Sequence, residues 1–206
     1  MWQPVDTRFF CPRCPVEIVD FGGGGEAQLL RSALESLSAV VLLHQIGTPQ
    51  DLLAVLAQGE ACASYMVLCG HGDETGLILG EYAAGLGIDV SMLVEGRLPA
   101  AALAGRVDLP GCGVINTCCN GGASEMASAF MTGKLRFYMG ALDAVRGSAA
   151  PLFVTHLFYG LLERGLSVRQ SWLAAGGYDD ESGLFVLHDR SGRHRLHQSK
   201  SGSKHA

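Results

Sequence analysis

Short apolar runs alternate along the chain with segments whose apolar residues recur at helical spacing. The apolar runs predict strands over 16–21, 39–46, 64–72, 112–119, 135–142 and 183–189. The other segments predict helices over 26–37, 48–59, 93–105, 124–133, 148–165 and 167–177, with a hairpin over 75–83. Because continuous apolar strands separated by helices form parallel sheets covered on both faces, the pattern predicts an α/β fold. We expect a three-layer α/β/α sandwich with a mostly parallel central sheet.

The ends of several predicted helices carry recognisable signals. Thr48 is placed to cap a helix that has Pro49 in its first turn, and Ser124 is placed to cap another. Ser167 and Gln170 have the spacing of a capping box. These signals support the helix starts that the periodicity predicts.

Charge and composition divide the 206-residue chain into one domain, 1–189, and a basic tail, 190–206. The tail holds five of the fifteen Lys and Arg residues, no acid and few apolar residues, so we expect it to be disordered. The remaining 189 residues carry ten bases against twenty acids. An acidic domain argues against a nucleic-acid partner.

The cellular setting is predicted from the absence of export and membrane signals. No apolar run reaches the length of a membrane span, and the N-terminus has no basic start or apolar core of a secretory signal. We therefore expect a cytoplasmic protein with no membrane span. Its cysteines should be reduced thiols; the seven are at positions 11, 14, 62, 69, 112, 118 and 119.

Two short motifs are weak candidates for ligand binding. Cys11 and Cys14 have half the spacing of a zinc site, but no second pair with suitable spacing follows, so we predict no metal. The glycine run at 22–25 lacks both the phosphate-loop and the dinucleotide-binding patterns. It is better interpreted as a strand-to-helix connection, and we expect no cofactor.

Functional groups of a parallel sheet gather at the carboxyl ends of its strands. This rule selects Asp20, His71, Asp143 and the adjacent pair Cys118 and Cys119. The strands that precede His71 and the cysteines are successive core strands, so they are expected to be neighbours. One imidazole and one thiol would then meet at the same sheet edge.

That pair of groups suits acyl transfer. A thiol with a pKa of about 8.5 is mostly protonated at neutral pH, and a nearby imidazole can take its proton. The nucleophile's own N–H and the N–H of Gly72, which follows His71, could form an oxyanion hole.

The order of these residues resembles the caspase-like superfamily of cysteine peptidases, whose signature is Gln-Ala-Cys-[Arg/Gln/Gly]-Gly with a histidine about 50 residues upstream. In this alignment Cys119 takes the nucleophile position, 48 residues after His71, and Gly121 takes the final glycine. Cys118 falls where the family has a small residue. The resemblance implies a caspase-like fold with His71 as acid–base and with Gly72 and Cys119 as oxyanion donors.

Residues 64–176 are similar to the CHAT branch of that superfamily, because "ASAFMTG" and "FYGLLERGLS" follow the cysteine in the family's order. The resemblance implies a cysteine endopeptidase that acts on a protein or peptide through a thioester, in bacterial defence or cell death. No long linker follows Cys119, so activation by linker cleavage is not expected. The helical repeats that often accompany this branch are missing, which favours recognition through a separate activator protein.

Relatives that cleave after Arg or Lys place an acid in the substrate pocket. Asp20 and Asp143 are the candidates here, and Asp73 is a further predicted substrate-binding residue. A preference for Asp would instead require a cation, for which Arg146 is the nearest candidate. Two other functions stay open: a catalytically silent caspase-like scaffold or regulatory subunit, and a different α/β hydrolase or nucleotide binder that uses the glycine run.

Overall fold

The computed structural model describes residues 13–22 and 24–196. Its strands are β1 (Cys14–Asp20), β2 (Ala39–Gln45), β3 (Tyr65–Cys69), β4 (His71–Gly72), β5 (Leu77–Ile78), β6 (Arg97–Leu98), β7 (Gly113–Asn116), β8 (Phe137–Ala141), β9 (Phe185–Asp189) and β10 (Gly192–His194). Its α-helices are α1 (Glu26–Ser36), α2 (Pro49–Leu56), α3 (Ala100–Leu103), α4 (Ser124–Met131), α5 (Ala149–Phe158) and α6 (Val168–Gly176). Among the described residues, no helix is both long and apolar enough to span a bilayer.

The main sheet has seven strands in the order β10-β9-β8-β7-β3-β1-β2. The five strands from β8 to β2 in this order are parallel, and β9 and β10 add an antiparallel edge. Helices α1, α5 and α6 pack on one face, and α2, α3 and α4 pack on the other. The predicted three-layer α/β/α sandwich with a mostly parallel sheet is therefore confirmed.

Local sequence signals explain where several helices begin. The Thr48 side chain accepts a hydrogen bond from the Asp51 N–H, and Pro49 opens α2. Ser167 and Gln170 form the capping box that their spacing predicts for α6. Ser124 differs from its prediction: it is the first residue of α4 and not the cap.

The predicted strand over 64–72 is divided between two sheets. β3 ends at Cys69, and His71–Gly72 pairs instead with β5 in a small antiparallel sheet of order β4-β5-β6. Gly70 makes this break possible because it packs directly under the Phe21 ring, where a β-carbon would overlap the ring. His71 therefore lies outside the main sheet, just beyond the carboxyl end of β3.

Two other segments differ from the expected elements. The helix predicted over 93–105 is reduced to α3, because β6 and then Pro99 precede it. Gly192–His194, assigned to the tail in the sequence analysis, pairs with β9 as an antiparallel strand. The rest of the predicted tail from residue 197 onward lies outside the described residues, as does Cys11 of the half zinc motif.

Candidate active site

The ends of β3 and β7 form the centre of the candidate site. The two strands are adjacent and parallel, with Leu68 opposite Asn116. Thr117, the residue after β7, donates hydrogen bonds to the Leu68 carbonyl from its N–H at 3.0 Å and from its hydroxyl at 2.9 Å. These two bonds hold the segment that leads to Cys119 against the segment that leads to His71.

His71 and Cys119 line the same cavity, whose volume is about 360 Å³. One wall comes from the start of α1, with Glu26 and Leu29, and the opposite wall comes from 145–147 and the start of α5. The sequence predicted that imidazole and thiol would reach one edge of the sheet, and the strand order brings both side chains to one cleft. Both side chains are therefore reached from the same cavity.

The two adjacent cysteines have different environments. Cys118 is fully buried in the core between the sheet and α4, and burial raises the pKa of its thiol well above the ordinary range. Cys119 is partly exposed and lines the cavity, with its Sγ 3.9 Å from the Val145 carbonyl oxygen. Of the two thiols, only that of Cys119 lines the cavity.

A buried network of hydrogen bonds fixes the turn that carries the cysteines. The Asn116 side chain accepts a hydrogen bond from the Cys118 N–H at 2.9 Å and donates one to the Tyr138 hydroxyl at 2.9 Å. That hydroxyl donates in turn to the Gly121 carbonyl at 2.6 Å. Asn120 adopts a positive φ of 58°, which turns the chain sharply after Cys119. The turn is therefore anchored from the sheet side.

Gly72 lies directly against this turn. A β-carbon at Gly72 would lie 2.6 Å from the Cys119 carbonyl oxygen and 3.0 Å from the Cys118 β-carbon. Only glycine allows β4 to approach so closely. The backbone of the segment containing His71 is thus packed on the backbone of the segment containing Cys119.

Glu26 is a residue of this cavity that the sequence analysis missed. The pKa of its carboxyl group is raised to about 7, mainly by burial; the nearby Thr117 side chain opposes the rise and the charge of Asp20 adds to it. Its Oε1 is buried without a hydrogen-bond partner among residues 13–22 and 24–196. An acidic residue in the first turn of a helix usually interacts favourably with the helix dipole. The sequence alone therefore gives no reason to select Glu26 as a site residue.

None of the three predicted substrate-binding acids lines the cavity. Asp20 ends β1 and accepts a hydrogen bond from the Gly22 N–H at 3.2 Å. Asp143 is exposed and accepts one from the Ala144 N–H at 2.7 Å. Asp73 forms an ion pair with the Arg97 Nε at 2.7 Å, and this partner holds the Asp73 pKa below its ordinary value.

Arg146 is the cation that lines the cavity. Its side chain is 84% exposed, and its Nε forms an ion pair with the Glu181 Oε1 at 3.1 Å. The Arg146 N–H also donates to Glu181, at 2.7 Å. Its charge is therefore screened by water and balanced by a neighbouring acid, whereas the Glu26 carboxyl is largely withdrawn from water.

Solved structures of cysteine proteases share this architecture. Gingipain R, an Arg-specific cysteine proteinase, aligns with a TM-score of 0.53 and 11% identity over 82% of this chain and 43% of its own. Separase from Saccharomyces cerevisiae, solved with securin, aligns with a TM-score of 0.52 and 13% identity over 93% of this chain and 13% of its own. A complex of the pro- and mature domains of Porphyromonas gingivalis RgpB aligns with a TM-score of 0.52 and 12% identity, over 82% of this chain and 44% of its own.

The chain spans less than half the length of each of these proteins. No protein-family model matches it, and no curated protein sequence matches it. Identities this low concern the fold alone. Within that limit, the fold expected from the resemblance is confirmed: the chain has a caspase-like α/β/α fold, which it shares with gingipain R and separase.

Proposed function

We propose that this protein is a cysteine peptidase in which Cys119 is the nucleophile and His71 is the acid–base partner. The observation that carries the proposal is that these two residues leave neighbouring parallel strands and line one cavity, while the adjacent Cys118 is buried. A thiol and an imidazole at one cleft are the minimum set for covalent acyl transfer. Gly72, packed against the Cys119 carbonyl, supports an oxyanion site in the same place.

The proposed reaction begins when His71 takes the proton from the Cys119 thiol. The thiolate attacks the carbonyl carbon of the scissile amide, and the N–H groups of Cys119 and Gly72 stabilise the oxyanion. The tetrahedral intermediate collapses as His71 returns the proton to the leaving amine, which leaves a thioester on Cys119. Water, deprotonated by His71, then hydrolyses the thioester and releases the carboxylate product with the free thiol.

Glu26 is proposed to select a basic side chain next to the scissile bond. It is an acid in the cavity wall with a buried carboxylate oxygen that lacks a partner among the described residues. A guanidinium or ammonium group would supply that partner as a charge-assisted hydrogen bond. Arg146 opposes this preference weakly, because its charge is exposed and paired with Glu181.

The other predicted properties remain proposals. Asp20, Asp73 and Asp143 are proposed as acids of the outer substrate surface. A protein or peptide substrate, a separate activator protein, a cytoplasmic location and a role in bacterial defence or cell death follow from the sequence resemblance to the CHAT branch.

Labelling with a peptide chloromethyl ketone that carries arginine next to the reactive group tests the proposal. We expect mass spectrometry to find the label on Cys119 of the folded protein, with none on Cys118. The His71→Ala variant should lose the labelling, because its thiol is no longer activated. An unlabelled Cys119 in folded protein would overturn the peptidase proposal and favour the silent scaffold.

Substrate selection is tested separately with Glu26→Gln. We expect kcat/KM for peptides with Arg before the cut to fall about 30-fold or more, because one partner of a buried charge pair is lost. Peptides with a neutral residue of similar length should be affected far less. Glu35→Gln removes an exposed acid of the same helix that does not line the cavity and serves as the matched control. Equal losses for basic and neutral peptides would contradict the role of Glu26.

A further inference from the structure

A second pair of thiols lies at the opposite edge of the same two strands. Cys62 follows a 3-10 turn over Gly59–Ala61, just before β3. Cys112 immediately precedes β7, whose first residue pairs with the first residue of β3. Both cysteines are therefore at the amino-terminal edge, far along the strands from Cys119. The proposed peptidase reaction does not use them.

The two side chains interact electrostatically. The Cys62 Sγ lies 3.8 Å from the carbonyl oxygen of Pro110, two residues before Cys112, and the Cys112 Sγ lies 3.7 Å from that of Gly113. Between the two segments, the Gly113 N–H donates to the Ser64 carbonyl at 3.0 Å. Both are free cysteines in this structure. The two thiols thus lie on backbone segments that are already neighbours in the reduced protein.

The backbone segments that carry the thiols are held together independently of them. The Gly59 N–H donates to the Asp108 carbonyl at 2.9 Å, and the Asp108 N–H donates to the Leu56 carbonyl at 2.9 Å. Next to Cys62, the Ala63 N–H donates to the buried Glu17 carboxylate at 2.9 Å. A covalent link between the sulfurs would join segments that are already neighbours.

The environments of the two sulfurs suit different chemical roles. Cys62 is partly exposed, whereas Cys112 is 1% exposed. The neighbouring Cys112 side chain lowers the pKa of Cys62, although burial and the Glu17 charge raise it. The neighbouring Cys62 side chain raises the pKa of Cys112, and burial adds to the effect. Cys62 is therefore the thiol that reagents reach first, and Cys112 is the protected neighbour.

We propose that Cys62 and Cys112 form a reversible disulfide when the protein meets a hydroperoxide. The Cys62 thiolate attacks one peroxide oxygen and becomes a sulfenic acid, and the other oxygen leaves as water or alcohol after protonation. The Cys112 sulfur then attacks the Cys62 sulfur, its proton joins the departing hydroxide, and a second water is released. Both sulfurs are oxidised and the peroxide is reduced; a small thiol reductant reverses the step by exchange.

The disulfide would close a loop from residue 62 to residue 112, which contains β3, His71 and the small β4-β5-β6 sheet. Closing a loop of this length stabilises the folded state mainly by restricting the unfolded chain. We expect the oxidised protein to melt about 5–10 °C above the reduced protein. Oxidation would therefore stabilise the folded domain, which includes the segment that presents His71.

Peptide mapping without reduction tests the proposal in a Cys119→Ala background, which removes the cavity thiol that peroxide could also oxidise. After brief treatment of the folded protein with hydrogen peroxide, we expect one intramolecular linked peptide that joins Cys62 to Cys112. The Cys62→Ser variant should lack both the linked peptide and the rise in melting temperature. The Cys14→Ser variant, which removes another half-buried thiol, should keep both.

Two results would overturn the proposal. One is oxidation of Cys62 to its sulfinic acid while Cys112 remains free to react with iodoacetamide after denaturation. The other is a Cys62–Cys112 link that forms only when the protein is treated in urea. Neither result bears on the peptidase proposal, because the readout does not depend on turnover.

Discussion

A methyl group at Gly72 would lie 2.6 Å from the carbonyl oxygen of Cys119, so the two backbones are in direct contact. The contact joins the segment of the proposed base to the segment of the proposed nucleophile. The Cys119 carbonyl belongs to a turn anchored by buried hydrogen bonds and cannot move away at low energy. The close approach of these two segments therefore requires a residue without a side chain at position 72.

Gly72→Ala is expected to lower kcat/KM about 10²–10³-fold, because the displaced backbone would misalign one oxyanion donor. Circular dichroism should show an intact fold, since β4 belongs to the small edge sheet. Gly47→Ala is the control: an added carbon there meets its nearest neighbour at an ordinary 3.6 Å. Wild-type kinetics in Gly72→Ala would contradict the assigned oxyanion site.

Replacing Cys118 and Cys119 one at a time distinguishes the proposed nucleophile from the core residue. Cys119→Ala should reduce peptide turnover by roughly 10⁴-fold or more, because the covalent route is lost. Cys118→Ala should keep turnover within about tenfold and mainly lower stability, since it deletes a buried sulfur atom. Steady-state kinetics with purified folded variants provides the measurement. The reverse pattern would move the nucleophile to Cys118.

The raised pKa of Glu26 makes stability depend on pH in a defined direction. The unfolded carboxyl ionises near its ordinary value of 4.5, and the folded one near 7. The folded state therefore loses stability as the pH rises through this interval, and the loss is complete above it. Glu26→Gln removes the penalty, so at pH 8 it should be about 1–3 kcal/mol more stable than the wild type.

Urea unfolding at pH 5 and pH 8 measures this difference. The gain should be much smaller at pH 5, where the carboxyl is largely neutral in the folded state. Glu35→Gln, an exposed change on the same helix, controls for the loss of one acidic side chain. A gain that does not depend on pH would show that the Glu26 carboxyl is not held in the protonated form by burial.

Variants of Asp73 and Arg97 distinguish a role in holding β4 in position from a role in binding substrate. Their ion pair ties the end of β4 to β6, two residues from His71. If the ion pair holds β4 in position, Asp73→Asn and Arg97→Gln should each lower kcat by about threefold to tenfold. The double variant should then lose no more activity than either single variant. If Asp73 instead contacts substrate, only its own variant should raise KM.

The hydroxyl of Tyr138 is expected to contribute to folding through the turn below Cys119. Tyr138→Phe leaves the Asn116 amide and the Gly121 carbonyl without their buried partner, which costs about 1–3 kcal/mol in the free energy of unfolding. Denaturant titration measures the change. Tyr178→Phe, on a side chain that is 68% exposed, should have no effect.

The mostly parallel sheet, the adjacency of the strands that precede His71 and Cys119, and the sheet edge of the candidate site could be predicted from sequence, because they follow from apolar patterning and chain connectivity. Alignment with the caspase signature favours Cys119 over Cys118 as the nucleophile. The structure adds a physical reason for this choice, because Cys118 is fully buried. The division of 64–72 into two strands could not be predicted, because it depends on contact between Gly70 and the distant Phe21 ring.

Glu26 was missed for a similar reason. Its position after a glycine run and at the start of a helix is compatible with an ordinary surface acid. Its role depends on burial by the cavity walls and on contact with Thr117, which lies about ninety residues away. Strand β10 was missed because its few polar residues carry no strand pattern, and only pairing with β9 forms it.

The contrast between Cys118 and Cys119 has a practical use in solution. Neighbouring thiols in one short peptide differ in access, since one lies in the core and the other lines the cleft. Alkylation at position 119 reports an open cleft, while alkylation at position 118 requires the sheet and α4 to separate. Both positions lie in one proteolytic fragment, so the ratio of alkylation at position 118 to alkylation at position 119 can be measured in a single peptide. That ratio therefore measures how often the core around Cys118 opens.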